Sequence, residues 1–256
     1  GSREQKIWVG TFDGAGELKR ERTISEKDAN LKASDFIMAF GAQDLLIAAQ
    51  KQPHDLDQPP YAALYWMNIK SGTVRKDVNF VLGTENKINA IVQDTYNGYL
   101  ATGEMRSDDG RMAGWVMHLN NDGGFIWQQS YNRGLGSRFN DIKIFNDTYI
   151  VLAGETYAAD DTRRKAAWIA MMQKVNGQMA WQRYYRDAYH FSARKLLVHD
   201  DNQISVMMDA YDAEDEGEKD FVRLLSMNPR GLILQADAYF NAEGVGGNGL
   251  ILGNNK

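Results

Sequence analysis

Short runs of β-branched, aromatic and small apolar residues recur along the chain, and turn formers separate them. Between residues 139 and 185 the runs read FNDIKIFN, DTYIVLAGET, AAWIAMMQKVNG and QMAWQRYY. The joins carry Asn146-Asp147, Asp160-Asp161 and Asn176-Gly177, which are pairs that favour turns. Runs of this length and composition predict four β-strands, and their short connections predict that the strands form one antiparallel sheet.

A glycine in a predicted hairpin recurs at a nearly constant distance along the chain. Gly16, Gly72, Gly124, Gly177 and Gly231 are separated by 56, 52, 53 and 54 residues. An aromatic residue precedes each of these glycines by seven to ten residues. Two markers therefore share one period, and a period of about fifty residues is typical of the blades of a β-propeller.

The strands of each unit are named A to D, outward from the expected propeller axis. The first unit contributes only C and D, the fourth unit is the segment 139–185, and the fifth spans 193–240. In the third unit, which spans 87–131, B is predicted at Tyr99–Glu104 and C at Trp115–Leu119. The other predicted strands are Ile7–Phe12 and Glu17–Thr23 in the first unit, then Asp35–Phe40, Leu45–Gln50, Ala63–Ile69 and Thr73–Val81 in the second.

The two chain ends are predicted to share one blade. The C-terminal GNGLILGNN predicts one more A strand, and the first unit supplies C and D. The sequence thus predicts an all-β, five-bladed propeller of four-stranded antiparallel blades, with 3–256 as its single domain and Gly1-Ser2 as a cloning remnant. The B strand of the shared blade is missing, which leaves three explanations: a native chain that continues past Lys256, a different sharing of the blade, or a fragment of a larger ring.

Two units carry a recognisable repeat pattern. GWVMHLNNDGGFIWQQSY and DTYIVLAGETY follow the order AxWIxxL, NxxG, xxxW and YIVLAGET, which resembles the PQQ-like and delta-60 repeats of bacterial propellers. The resemblance extends over nearly the whole chain, and it implies a propeller fold without catalysis. The chain lacks the eight-blade length, the vicinal cysteines and the calcium constellation of quinone-dependent dehydrogenases. The resemblance therefore implies no quinone, and no cofactor of any kind is predicted.

Composition and charge narrow the classes of partner. The 256 residues are 43% hydrophobic and carry a formal net charge of −5, so nucleic acid is not predicted as a partner. No run reaches the apolar length of a transmembrane helix, so no membrane insertion is predicted. The chain has no cysteine, as is common in bacterial exported proteins, and a periplasmic or secreted location is favoured over the cytoplasm. The oligomeric state stays open.

The connections between strands B and C are rich in acids. They read KQPHDLDQPP, MRSDDGRMAG, YAADDTRRKA and YDAEDEGEKD, and in a propeller they share one face with the D-to-A crossovers. This acidic rim suits a basic partner or weak calcium binding, and solvated loop tips are the alternative interpretation. No loop has the D-x-D-x-D-G order of a calcium site, so no metal site is predicted. The residues assigned to partner binding at the rim are Asp108, Asp109, Asp160, Asp161, Asp212 and Asp215.

The D-to-A crossovers are predicted to carry basic residues close to where each A strand enters the central channel. Equivalent places around an axis would set them in a positive ring at the channel mouth, suited to an anionic ligand or to a partner's acidic side chain or C-terminus. The alternative is that each pairs with a neighbouring acid, such as Asp35, Glu85, Asp141 or Asp187. The residues assigned to this mouth are Lys32, Lys87, Arg138 and Arg194.

Other polar and aromatic residues favour structural roles. The B strands end on a polar residue once per unit, whereas the paired carboxylates of a glycosidase would break the repeat. The tryptophans are expected to pack within and between blades rather than to stack on sugars. His190 is the only histidine considered as a functional candidate, since Arg186 and Arg194 lie near it in the chain. No nucleophile or nucleotide motif occurs, so no catalytic residue is predicted. The polar residues at the ends of the B strands are Gln50, Glu104, Glu155 and Asp209, and the tryptophans are Trp115, Trp127, Trp168 and Trp181.

The sequence therefore predicts a non-catalytic scaffold that presents one charged loop face to a protein or peptide partner. The acidic rim predicts that this partner is basic, and the module would also fit as one region of a longer multidomain protein. The alternative is an enzyme or small-ligand-binding propeller that holds an anionic ligand or a glycan at the channel mouth.

Overall fold

The computed structural model describes residues 4–41, 43–95, 98–107, 109–132, 136–158, 161–186, 189–211 and 219–240. All eighteen regular elements in these ranges are β-strands, and they form four four-stranded sheets and one two-stranded sheet. The pairing is antiparallel and joins strands that follow one another in the chain. The predicted all-β class and four-strand unit are confirmed. Within the described ranges, no helix is long and apolar enough to cross a membrane.

The sheets are numbered by the sequence unit from which they come, and in sheets 2 to 5 the first strand lies innermost. Sheet 1 is β1 (Ile7–Phe12) and β2 (Leu18–Ile24). Sheet 2 is β3 (Ala29–Met38), β4 (Asp44–Pro53), β5 (Tyr61–Asn68) and β6 (Val74–Phe80). Sheet 3 is β7 (Glu85–Asp94), β8 (Gly98–Arg106), β9 (Met112–Leu119) and β10 (Phe125–Tyr131). Sheet 4 is β11 (Ser137–Ile144), β12 (Tyr149–Ala158), β13 (Asp161–Gln173) and β14 (Met179–Tyr185). Sheet 5 is β15 (His190–Val198), β16 (Ile204–Tyr211), β17 (Lys219–Met227) and β18 (Ile233–Phe240).

Two strands begin well before the apolar runs that predict them. β3 begins at Ala29 rather than at Asp35, and Ala29 lies opposite Pro53 at the end of β4. β13 begins at Asp161, although the segment DTRRKA has the composition of a loop. In both cases the ladder of hydrogen bonds to the neighbouring strand continues past the apolar run and sets the boundary.

The hydrophobic core lies between neighbouring sheets. One cluster of buried side chains joins each consecutive pair of sheets, from sheets 1 and 2 to sheets 4 and 5. Trp115 and Trp168 are almost fully buried in these clusters, and Trp127 and Trp181 pack against their edges. The predicted packing role of the tryptophans is confirmed. Because each sheet shares its core with its neighbours, the sheets depend on stacking for their burial.

A hairpin between the third and fourth strands of one sheet packs against the outermost strand of the preceding sheet. The Trp127 indole donates to the Lys174 carbonyl at 3.1 Å, and the Trp181 indole donates to the Pro229 carbonyl at 3.0 Å. A glycine with positive φ turns each hairpin, as the period predicts, but in sheet 3 this residue is Gly123 and not Gly124. The five hairpin glycines are Gly16, Gly72, Gly123, Gly177 and Gly231.

The four inner strands meet at one axis. Each carries a β-bulge at the same place, and the bulged residues link neighbouring sheets: the Asn89 amide donates to the Phe139 carbonyl and the Asn140 amide donates to the Ala193 carbonyl, both at 2.8 Å. One cavity of about 430 Å³ is lined by residues of sheets 2, 3, 4 and 5. Meander sheets stacked side by side around one central cavity form a β-propeller. The described strands supply four four-stranded blades and one further two-stranded sheet.

A charged channel mouth as candidate functional site

Each inner strand places a basic residue next to a polar residue of the second strand. In sheets 2, 3 and 4 the two residues are direct cross-strand partners: Lys32 lies opposite Gln50, Lys87 opposite Glu104, and Arg138 opposite Glu155. Side chains directly opposite each other on an antiparallel sheet are close enough to interact, and opposite charges there stabilise the pairing. Two features predicted separately, the basic mouth and the polar strand ends, therefore belong to the same row of pairs. The basic residues lie within the strands and not in the crossovers.

Glycine allows two of these pairs to form. A Cβ atom at Gly103 would lie 1.9 Å from the Lys87 carbonyl oxygen, and one at Gly154 would lie 2.0 Å from the Arg138 carbonyl oxygen. Both distances are far inside van der Waals contact, so only glycine permits the inner strand to approach the second strand at the bulge. The recurring Gly-Glu pair thus fixes the cation beside the carboxylate.

Arg138 connects two sheets through its ion pairs. One guanidinium nitrogen, Nη2, lies 2.8 Å from Glu155 Oε1 in the same sheet, and Nη1 lies 3.9 Å from Glu104 Oε2 in sheet 3. The side chain is about one-third exposed, whereas Glu155 is nearly buried. The Nε atom of Arg138 is buried and has no hydrogen-bond partner in the described part of the chain. An unsatisfied buried donor costs about 1–3 kcal/mol unless another acceptor reaches it.

Arg194 occupies the bulge of sheet 5, where the other sheets carry Ser34, Asn89 and Asn140. Its Nε donates to Asp209 Oδ2 at 2.9 Å and its Nη2 donates to the Tyr211 hydroxyl at 2.5 Å. Burial works against the charge of Arg194, but these hydrogen bonds hold its pKa above the ordinary value. Asp209 is completely buried beneath the guanidinium group. Arg194 is therefore a fixed cation at a position where the repeat otherwise has a short neutral residue.

Lys87 and Lys32 complete the basic set on the other side of the channel. Lys87 lines the same central cavity as Arg138 and Arg194, while Lys32 is exposed beside it. Burial lowers the pKa of Lys87; Glu104 opposes this effect, and the charges of Lys32 and Arg138 add to it. The structure thus brings three of the four predicted mouth residues into one cavity and leaves the fourth at its rim.

The acids that pair with the arginines are not the ones that chain proximity predicts. Asp35 and Asp141 accept backbone N–H groups of the next sheet, from Ile91 at 2.9 Å and from Leu196 at 2.8 Å. Glu85 pairs with Arg106 at 3.3 Å, and Asp187 lies outside the described residues. Pairing with those neighbouring acids is therefore wrong for the three described acids. Cross-strand register, which places Glu155 and Asp209 beside the arginines, decides the partner instead.

A second, smaller cavity lies beside the arginines, between sheets 4 and 5. It measures about 170 Å³ and is lined by Arg138, Glu155, Lys165, His190, Arg194 and Tyr211. His190 Nδ1 accepts the backbone N–H of Lys165 at 2.8 Å, so the ring carries its proton on Nε2. That Nε2 atom is buried and has no hydrogen-bond partner among the described residues. Sequence reasoning singled out His190 through nearby arginines, but it missed Lys165 and Tyr211, which register alone brings to the cavity.

The described part of the acidic rim uses its carboxylates within its own turns. The Asp109 side chain is exposed, accepts hydrogen bonds from the Ser107 hydroxyl and the Arg111 backbone, and has its pKa lowered by these bonds. Asp161 begins β13 and so lies in a strand rather than in a loop. Asp108, Asp160, Asp212 and Asp215 lie outside the described residues. Across the described ranges, no group of three or more histidine or acidic side chains could hold a metal ion.

Comparison with known proteins provides matches only among solved structures. No protein-family model and no curated protein matches the chain. Among solved structures, the chain is similar to one described as the structure of the Dos1 propeller, with 10% sequence identity and a TM-score of 0.48. The match covers 93% of this chain and 51% of that chain, so this chain spans about half the length of that structure. The assignment as a β-propeller depends on the sheet topology and on the cavity shared by the four inner strands.

Proposed function

We propose that the chain is a non-catalytic interaction module that docks a protein or peptide partner on the face around the channel mouth. The observation that carries this proposal is the convergence of four sheets on one charged cavity, lined by Lys87, Arg138 and Arg194 together with Glu104 and Asp209. A rigid ring of this kind presents groups from several blades to one partner with little loss of conformational entropy.

The acidic rim contributes to the same docking face in this proposal. The second-to-third strand connections lie at the same end of the sheets as the starts of the inner strands, because Ala29 at the start of β3 pairs with Pro53 at the end of β4. A partner that places an acidic group in the mouth and basic groups against Asp109 and its counterparts would match both charges. Charge complementarity of this kind sets specificity and association rate more than affinity.

Two charge variants test the docking face. In the mouth variant, Lys32→Glu is combined with Lys87→Gln; the control combines Lys70→Glu with Arg230→Gln, which changes the net charge equally in exposed hairpin residues. Purified wild-type and variant chains are immobilised, and proteins captured from a lysate of the native source are quantified by mass spectrometry. We expect a protein that the wild type and the control retain to be lost from the mouth variant. Identical capture by all three chains contradicts docking at the mouth.

The rim is tested separately by changing Asp108, Asp109, Asp160 and Asp161 together to Ser. If the rim contacts a basic partner, capture weakens and elution of the partner needs less salt than with the wild type. Unchanged capture and elution remove the rim from the docking face and leave the mouth as its only proposed part.

The repeat type, domain and blade count belong to the same proposal. We infer one propeller domain over residues 3–256, with five blades built from repeats of the PQQ-like or delta-60 kind, in which sheet 1 forms the outer half of the closing blade. Two observations support closure. The backbone carbonyl of Gln5 accepts the Leu31 backbone N–H at 3.0 Å, which connects the segment before β1 to the inner strand of sheet 2. On the other side, Phe240 and Leu234 of β18 are 69% and 56% exposed, as expected for a face that a further sheet covers.

A further inference from the structure

We propose that the cavity between sheets 4 and 5 is a binding site for a single carboxylate group. It is termed the His190 pocket and is lined by Arg138, Glu155, Lys165, His190, Arg194 and Tyr211. This inference stands apart from partner docking, because a small acid can occupy the pocket in the absence of any partner.

Hydrogen-bond donors with spare capacity line the pocket. The backbone N–H of Lys165 fixes the tautomer of His190, so Nε2 carries a hydrogen and has no acceptor among the described residues. The Nε atom of Arg138 is likewise buried without an acceptor in the described ranges. Buried donors are almost always satisfied in native proteins, so two unsatisfied donors beside one cavity indicate an acceptor that binds there.

The balance of charge favours a monoanion. Three cations line the pocket, namely Arg138, Lys165 and Arg194, against one lining carboxylate, Glu155. The buried Asp209 lies 2.9 Å from Arg194 and neutralises a second cation, which leaves one positive charge. Next along the channel, Lys87 and Glu104 are cross-strand partners and add no net charge. One carboxylate neutralises this single positive charge, whereas a phosphate dianion would leave a net negative charge.

The local structure holds the pocket before any ligand arrives. Arg194 is fixed by Asp209 and Tyr211, and Arg138 is fixed by Glu155 at 2.8 Å. The pocket volume of about 170 Å³ suits a small group rather than a whole cofactor. Lys165 has its Nζ over the ring of Tyr157 at 5.6 Å from the centroid. It adds a third cationic donor to the lining of the pocket.

The experiment follows the His190 imidazole by NMR in the intact chain during titration with sodium acetate, at constant ionic strength maintained with chloride. His190→Asn is the first variant, because the Asn side-chain oxygen can still accept the Lys165 N–H while the Nε2 donor is removed. Lys165→Met is the second variant, and it leaves every described ion pair intact. Lys70→Met, in an exposed hairpin, is the matched control for the loss of one lysine.

We expect saturable binding of acetate to the wild type, a loss of affinity of about tenfold in each pocket variant, and no change in the control. For His190→Asn, the thermal stabilisation by acetate replaces the NMR signal as the measure of binding. Acetyl-trialanine with a free and with an amidated C-terminus identifies the source of the carboxylate. If the free peptide binds more tightly than acetate and its amide does not bind, the carboxylate comes from a protein; if acetate binds at least as tightly as the free peptide, it comes from a small acid.

Three outcomes overturn the pocket. They are no saturable response to acetate or to the free peptide, an equal response in all variants, and tighter binding of inorganic phosphate than of either carboxylate. If one of these outcomes is observed and a partner is still captured, the pocket is refuted and the docking proposal stands. Acetate binding without partner capture supports the pocket and refutes the docking proposal.

Discussion

Substitution of the hairpin glycine Gly177 by alanine measures how much the contact between two blades contributes to stability. Gly177 has a φ of 73°, and a Cβ atom there would lie 2.7 Å from the Tyr131 hydroxyl and 2.9 Å from Cζ3 of Trp127. Both aromatic side chains are anchored to the same hairpin, because Tyr131 donates to the Gly177 carbonyl and Trp127 donates to the Lys174 carbonyl. They cannot move aside without losing these hydrogen bonds.

The matched control is Gly16→Ala. Gly16 has a φ of 84° in the equivalent hairpin of sheet 1, but nothing lies within 4 Å of a Cβ atom placed there. An alanine in the left-handed conformation destabilises the folded chain by about 1–2 kcal/mol. Alanine also lowers the conformational entropy of the unfolded chain, which stabilises the fold by about 0.4–1 kcal/mol. We therefore expect Gly16→Ala to cost about 1 kcal/mol. Overpacking adds about 1–3 kcal/mol, so we expect Gly177→Ala to cost about 2–4 kcal/mol.

The assay is urea unfolding of the wild type and both variants, with the free energy of unfolding taken from the midpoint and the slope of the transition. Tyr131→Phe removes the nearest atom of the overpacked contact, so the cost of Gly177→Ala is expected to fall in that background, as a double-mutant cycle would show. Equal costs for Gly16→Ala and Gly177→Ala would refute the reasoning, because backbone conformation alone would then explain both.

Two further predictions concern closure of the ring and the charge on Lys87. The outer strand of sheet 4 contacts the hairpin of sheet 5 through Arg183, which donates to the Arg230 carbonyl at 3.0 Å. Asp237 has the equivalent place in β18, so in a closed ring the thiols of Asp237→Cys and Ala15→Cys should be joined by a bis-maleimide reagent that spans the length of an arginine side chain. The cross-link is measurable by mass spectrometry in a chain without native cysteine, and its absence would contradict closure by sheet 1. Burial lowers the pKa of Lys87, so the folded chain loses that proton before the unfolded chain, whose value is 10.5, does. Stability of the wild type relative to Lys87→Met should therefore rise with pH in the alkaline range below 10.5; parallel curves for the wild type and Lys87→Met would contradict this.

The architecture was accessible from the sequence because the repeat determines it. Hairpin glycines are needed wherever the chain turns with positive φ, so their spacing reports the length of a blade directly. Gly124 was predicted in place of Gly123, because adjacent glycines do not reveal which of the two adopts that conformation. Strand boundaries were less accessible. The charged segment at the start of β13 is ordered by its ladder to β12, and composition carries no signal of that ladder.

The candidate site was accessible only in part. Spacing predicted equivalent points for Lys87, Arg138 and Arg194. The structure brings all three to one cavity, but Arg194 lies at the bulge, two residues beyond the register position of the other two. Spacing did not reveal which acids neutralise the arginines, because the partners lie across a strand pair, 17 residues away for Glu155 and 15 for Asp209. A bulge in each inner strand shifts that register by one residue, and bulges leave no mark in the sequence other than the glycines beside two of them.

The His190 pocket is the place where the repeat is least regular, and this irregularity is itself informative. At the register position of His190, the other sheets carry Asn30, Glu85 and Gly136. At the bulge, Arg194 replaces the short polar side chains that serve the other three sheets. A propeller needs each blade to fulfil the same packing role, so repeated residues are explained by the fold. Residues that depart from the repeat, converge on one cavity and leave a buried donor unsatisfied are not required by the fold. Their arrangement is explained if the boundary between sheets 4 and 5 binds a ligand.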